Sequence, residues 1–290
     1  SRARDLGYRA NIHARSLGGN RSNSIALFYP SLGHEEPDYF ITEIMLGINN
    51  TLQTTGRQLQ INPFPLESPE KTLEAYRGQL LEGGFAGVII VAGAAGSKLL
   101  LETARNYGIP YVVIGYMSGL DHNAVLFDNK YGAHLAGKYF RNTGRKHPAY
   151  IGGHLDRHKK QGFQRGLEQP EANIIFSSGG NSFRHGGLAF ENLKATHPEV
   201  DCVLCANDVL AIGFIRAALN RGVKIPEDIA VIGFDDIRPA RYFTPALSSV
   251  SLHMFEIGAN AVGMLVRLLG GEEQIPSETL ECDLVLRESS

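Results

Sequence analysis

The sequence has little of what covalent crosslinking, membrane insertion or cofactor chemistry would require. Cysteine occurs 3 times in 290 residues, an odd number and too few for a disulfide framework. Cys202-Val203-Leu204-Cys205 has C-x-x-C spacing. A redox or zinc pair belongs in a turn or at a helix N-terminus, whereas this one lies in the apolar run Asp201–Ala206 and reads as buried thiols on a strand. No apolar run approaches the ~20 residues that cross a bilayer. Ser1-Arg2-Ala3-Arg4-Asp5 has no apolar h-region behind it, so no export signal is expected and the cytoplasm is the expected compartment. H-E-x-x-H and G-x-S-x-G are missing, and no G-x-G-x-x-G follows a strand. Gly93-Ala94-Ala95-Gly96-Ser97-Lys98 follows an apolar strand, but its glycines are too close and Ser precedes Lys, which excludes a P-loop. Among ten histidines the densest polar knot is His154-Leu155-Asp156-Arg157-His158, which lacks the remaining ligands of a zinc site. The sequence therefore gives no reason to expect an enzyme, a metal or a cofactor.

What is present is a chain long enough for two domains of ~100–150 residues each. Net charge is −2, unevenly spread: residues 1–21 carry five arginines against one aspartate. An arginine-rich arm on an acidic body suggests a polyanionic partner. From Ser24 onward short β-branched runs alternate with amphipathic stretches, the rhythm of parallel sheets joined by crossover helices. Strands are predicted at Ser24–Tyr29, Gln58–Asn62, Gly87–Ala92, Tyr111–Ile114, Ala124–Phe127, His147–Ile151, Asn173–Phe176, Asp201–Ala206 and Ile229–Phe234. Helices are predicted at Phe40–Thr54, Pro69–Leu81, Ser97–Tyr107, Tyr131–Asn142, Lys159–Leu167, Gly186–Thr196 and Val209–Asn220, the last capped by Asp208 and ended by Gly222. After Phe234 the rhythm changes to an extended Ser248–Leu252, a helical Phe255–Leu269 and an extended Thr279–Leu286, as a chain crossing back between two lobes requires.

The most informative segment is Leu6-Gly7-Tyr8-Arg9-Ala10-Asn11-Ile12-His13-Ala14-Arg15-Ser16-Leu17. Asn11 can open a short helix that Gly18-Gly19 would stop, and a helix so short folds only against a partner. The segment resembles the L-G-Y-x-P-N-x-x-A-R-S-L signature of the LacI/GalR family, with Ala10 in place of the usual proline. The resemblance continues through Asp128-Asn129 with Gly132-Ala133, Gly162-Phe163, Cys205-Ala206-Asn207-Asp208, Pro226-Glu227-Asp228, Gly233-Phe234-Asp235-Asp236 and Arg241–Val250. Six weak pieces in the right order make a strong match.

The resemblance implies an α/β fold of two doubly wound parallel-sheet lobes of periplasmic-binding-protein type I architecture. Residues 1–23 would be the tail of a DNA-binding headpiece and its hinge helix, residues 24–143 plus 252–274 the N-terminal lobe, and residues 144–251 plus 275–290 the C-terminal lobe. It implies a homodimeric, ligand-responsive transcription regulator, expected to be a repressor, that binds double-stranded operator DNA. Asn11, Ala14, Arg15 and Leu17 fall at hinge positions, Leu17 matching the leucine that wedges between base pairs. A sugar-like effector would meet Asp128, Asn207 and Asp235 at strand ends, where open α/β sheets bind ligands. Tyr39, Phe40 and Phe183 are candidate aromatic contacts. Lys159 stands where the family commonly has arginine, and a point charge in place of a planar fork favours an acidic ligand. The rival expectations are a periplasmic sugar-binding protein, which would need an export signal and no hinge, and a doubly wound enzyme, which would need a nucleophile or cofactor loop.

Overall fold

The computed structural model describes residues 23–31, 38–66, 70–82, 84–153, 156–169, 173–176 and 180–290. In chain order its elements are β1 (Ser24–Ser31), α1 (Tyr39–Gln53), β2 (Gln58–Pro65), α2 (Glu70–Glu82), β3 (Gly87–Val91), α3 (Ala95–Asn106), β4 (Tyr111–Ile114), β5 (Ala124–Phe127), α4 (Asn129–Asn142), β6 (Pro148–Gly152), α5 (Arg157–Leu167), β7 (Asn173–Phe176), α6 (Phe183–Thr196), β8 (Cys202–Cys205), α7 (Asp208–Asn220), β9 (Ala230–Asp235), a 3-10 turn (Arg238–Tyr242), β10 (Ser248–Ser251), α8 (Met254–Leu269), β11 (Glu278–Leu280) and β12 (Asp283–Val285). No helix among the described residues is long and apolar enough to cross a membrane.

The chain forms two compact units. The first takes in the described residues up to Leu126 together with Phe255–Glu278. Its sheet runs β11-β5-β4-β3-β1-β2, with β2–β1, β1–β3, β3–β4 and β4–β5 all parallel. Every residue of β3 and β4 is buried, as helices on both faces of a parallel sheet demand, and hence these strands read as unbroken apolar runs. Pro63 and Pro65 sit in β2, the edge strand, where a missing N–H breaks no ladder. The second unit comprises Phe127–Met254 and Thr279–Ser290. Its sheet runs β12-β10-β9-β8-β6-β7 and is parallel except for β10–β12.

Several sequence expectations are corrected here. Residues 129–143 were expected in the first lobe, but α4 belongs to the second unit. It packs on α5 through Gly137, Gly162 and Gly166, where a Cβ on Gly162 would overlap the Lys130 carbonyl and one on Gly166 the His134 carbonyl. Helix α6 starts at Phe183, not Gly186, because the Ser182 side chain accepts from His185 N and caps it there. The expected extended run Thr279–Leu286 is two short strands separated at Cys282. Cys202 and Cys205 are buried on β8, and desolvation pushes both thiols up from their ordinary range. Burial pushes Cys282 up to about 11.

Candidate functional site

Asn207 follows a strand of the second unit's sheet and Asp235 ends one, Lys159 lies on a helix of the same unit, and Asp128 follows the last parallel strand of the first sheet. Asp128 follows β5 and caps α4, its Oδ1 accepting from Tyr131 N at 2.9 Å. Asn207 follows β8 and caps α7, its Oδ1 accepting from Leu210 N at 2.8 Å. A side chain that satisfies one orphan N–H of a helix start is held in a single orientation. Asn207 Nδ2 and the second oxygen of Asp128 take part in no hydrogen bond among the described residues.

Lys159 lies in the first turn of α5 and reaches over the sheet. Its Nζ donates to the Ala206 carbonyl at 2.7 Å, stands 3.9 Å from Asp235 Oδ1 and sits 3.9 Å above the Phe234 ring. The side chains of Lys159 and Asp235 are 13% and 12% exposed, so the pair is largely desolvated while still open on one side. A carbonyl, a carboxylate and a ring face together hold the ammonium where a flexible lysine would otherwise wander.

Asp235 owes its orientation to unusual backbone. At the end of β9 it has φ 100 and Asp236 has φ 52, a region L-residues rarely enter and in which aspartate is among the more tolerant. The chain therefore turns sharply, and the two adjacent carboxylates diverge. Asp235 faces Lys159, whereas Asp236 Oδ1 accepts from Arg287 NH2 at 2.6 Å.

Beneath this turn lies Asp208, expected from the sequence to cap α7. It is instead the first residue of the helix, the capping being done by Asn207, and its side chain is fully buried. Asp208 Oδ2 accepts from Ile237 N at 2.8 Å and Oδ1 from Ser249 Oγ at 2.6 Å, and Ser249 Oγ accepts in turn from Asp236 N at 3.0 Å. Burial first, and then the charge of Asp235, holds this carboxyl well above its ordinary value against the two hydrogen bonds. Asp208 thus fastens the segment that presents Asp235. Sequence reasoning missed it because any acid beside a helix start looks like a cap. The signal that could have found it is Ser249 in a buried strand, a hydroxyl in need of an acceptor.

Tyr150 was also missed. It is fully buried on β6, its hydroxyl has no hydrogen-bond partner among the described residues, and burial followed by the charge of Asp156 pushes its ionisation up.

Phe183 opens α6 and lines a hollow of about 370 Å³ with Ile212, Gly213, Arg216 and Phe243. In the first unit Tyr39 and Phe40 form the first turn of α1, capped by Asp38, and both are partly buried. Asn11, Ala14, Arg15 and Leu17 lie outside the described residues.

Residues 134–290 match the periplasmic binding protein-like domain family. The HTH-type transcriptional regulator GntR of Pseudomonas aeruginosa is 33% identical over 308 residues, covering 99% of this chain and 84% of that protein. The chain belongs to the LacI/GalR family of transcriptional regulators. A further member, the HTH-type transcriptional repressor PurR of Yersinia enterocolitica, is 31% identical over 292 residues, covering 96% of this chain and 82% of the repressor. Among solved structures, a transcriptional regulator CelR–cellobiose complex superposes with a TM-score of 0.80 at 25% identity, covering 99% of this chain and 88% of the other. The fold is that of the family's two-lobed, periplasmic-binding-protein type I core.

Proposed function

We propose that this chain is the effector-binding and dimerising core of a cytoplasmic LacI/GalR repressor whose effector is a sugar or sugar derivative. The observation that carries the proposal is the largely desolvated pairing of Lys159 with Asp235 at 3.9 Å. An acceptor and a donor at that spacing can engage vicinal hydroxyls, and Asn207 Nδ2 and Asp128 add one group of each kind. Tyr39 and Phe40, in the first turn of α1, are assigned as aromatic contacts for a sugar. Asn11, Ala14, Arg15 and Leu17 are assigned to the minor groove of a palindromic operator, Leu17 as the wedge.

A thermal-shift screen of neutral sugars, sugar acids, sugar phosphates and nucleobases tests the effector class, since a ligand that binds only the native state raises Tm. A sugar or sugar derivative is expected to raise it, and Asp235→Ala is expected to remove the shift. Lys159→Gln separates the two kinds of sugar ligand. An acid should lose most of its affinity, and a neutral sugar should lose about tenfold, the worth of one hydrogen bond to a charged donor. A shift that survives Asp235→Ala would take the effector away from these strand ends.

Dimerisation is assigned to α7. The Phe183 hollow adjoins a second of about 170 Å³, the two sharing Ile212, Arg216, Asn220 and Phe243. Leu219 and Phe243 stand 42% and 41% exposed along it. An apolar groove with an aromatic and an arginine at its centre has the composition of an interface hot spot. Phe243→Glu is expected to weaken self-association at least tenfold in sedimentation equilibrium, and an unchanged dimer would move the interface elsewhere.

A further inference from the structure

The surface of α4 and α5 carries cations out of proportion to the rest of the chain. Residues 129–142 and 157–167 hold seven lysines and arginines and no acid, six of them besides the Lys159 that faces Asp235, in a protein whose total charge is −2. Lys130, His134, Lys138 and Arg141 follow one another at intervals of four, four and three. That spacing sets them on one stripe of α4, about 16 Å long at 1.5 Å per residue. Arg165 joins it from α5, whose Gly162 and Gly166 press on the carbonyls of Lys130 and His134.

The convergence is felt at His134. Burial first, and then the charges of Arg165, Lys138 and Arg141, hold its imidazole below the ordinary value, Glu168 alone pulling the other way. His134 Nδ1 is buried with no hydrogen-bond partner among the described residues. Of the five, only Arg141 has an ion pair among the described residues, with Glu168. Lys138 and Arg141 are like charges at helical neighbour spacing, and the lowered imidazole shows that His134 meets the same positive field, so this arrangement favours an anion that spans it.

Composition decides between the polyanions. The centre of a protein–protein interface is apolar and depleted in lysine. Here the apolar contribution is the ring of Tyr131, half exposed and stacked on His134. A row of cations with so little apolar surface suits a phosphate backbone, which is met by Lys and Arg without regard to base sequence.

We propose that the α4–α5 face is a second, sequence-independent binding site for duplex DNA, with Lys130, Lys138, Arg141 and Arg165 on the phosphates. It differs in position and chemistry from the operator contacts assigned to the N-terminal arm, and it needs no effector.

The test is fluorescence anisotropy of a labelled random-sequence duplex titrated with the whole protein between about 50 mM and 200 mM salt. The Lys130→Gln, Lys138→Gln, Arg165→Gln triple variant is expected to bind at least tenfold more weakly at the lower salt. The slope of log K against log salt should fall by roughly 2–3, at ~0.9 per phosphate. Glu168→Gln releases Arg141 from its acid and is expected to tighten binding severalfold. If the triple variant keeps its circular-dichroism spectrum and binds as the parent does, the arm accounts for all DNA affinity and the proposal is overturned. If the triple variant does not fold, Glu168→Gln decides, and unchanged or weaker binding by it overturns the proposal. Low-salt self-association abolished by the triple variant, with no DNA bound, would assign the face to an acidic surface of a second copy and likewise refute it.

Discussion

Asp208→Ala is expected to destabilise the second unit by about 3–5 kcal/mol, the cost of leaving two buried donors unpaired at ~1–3 kcal/mol each plus a small void. The donors are Ile237 N and Ser249 Oγ, both held by a fully buried carboxyl group. Asp208→Asn keeps the shape and one acceptor but turns an N–H toward a donor, so its cost should be smaller, about 1–2 kcal/mol. Because the same bonds fasten the turn at Asp235 and Asp236, both variants should also reduce the effector-induced Tm shift. Urea denaturation of the three proteins measures the first effect, and a stability change under 1 kcal/mol in Asp208→Ala would show that the carboxyl group does not carry this network.

The pH dependence of that difference has a definite sign. The folded-state pKa of Asp208 is raised above its ordinary value, so between the two values the native state binds more protons than the unfolded state and stability falls as pH rises. The advantage of the parent over Asp208→Asn is fully present below the unfolded pKa of ~3.9 and shrinks above it. Parallel urea curves at about pH 5 and pH 8 should show a smaller difference at the higher pH, and the opposite trend would mean that the carboxyl is held ionised.

Much of the fold was legible because parallel strands covered on both faces read as short apolar runs: Tyr111–Ile114 and Ala124–Phe127 are where the pattern puts them. Helix starts were less so. Apolar periodicity begins at the first inward-facing residue, and so it passed over polar first turns such as Asn129-Lys130 and Arg157-His158. The candidate residues could be named from the sequence, but not the bonds they make. Asp128, Asn207 and Asp235 follow from motif order, but which of two adjacent groups caps a helix depends on the direction of the chain entering it, and this separated Asn207 from Asp208. The anchoring of Lys159 by the Ala206 carbonyl and the Phe234 ring joins residues 47 and 75 positions away. No local pattern encodes contacts of that range.

Gly162→Ala and Gly263→Ala are expected to change stability in opposite directions, although each replaces a helical glycine by the best helix former. Gly263 faces open space on α8, with nothing within 4 Å of where an alanine methyl would stand, so alanine should stabilise by about 0.5–1 kcal/mol through backbone entropy alone. Gly162 gains the same propensity but drives its methyl into the Lys130 carbonyl, and backbone cannot rotate away as a side chain can. The helices must part, loosening the seam in which Phe140 and Phe163 meet edge to face at 6.2 Å. The net loss should be about 2–3 kcal/mol, the overpacking cost exceeding the propensity gain. The effect reaches the site as well, because Lys159 is one turn ahead of Gly162 on α5 and Asp128 caps α4. Parting the helices moves both groups relative to Asp235, so Gly162→Ala should also shrink the effector-induced Tm shift while Gly263→Ala leaves it intact. Equal stability changes for the two variants would show that the close backbone approach at Gly162 contributes nothing.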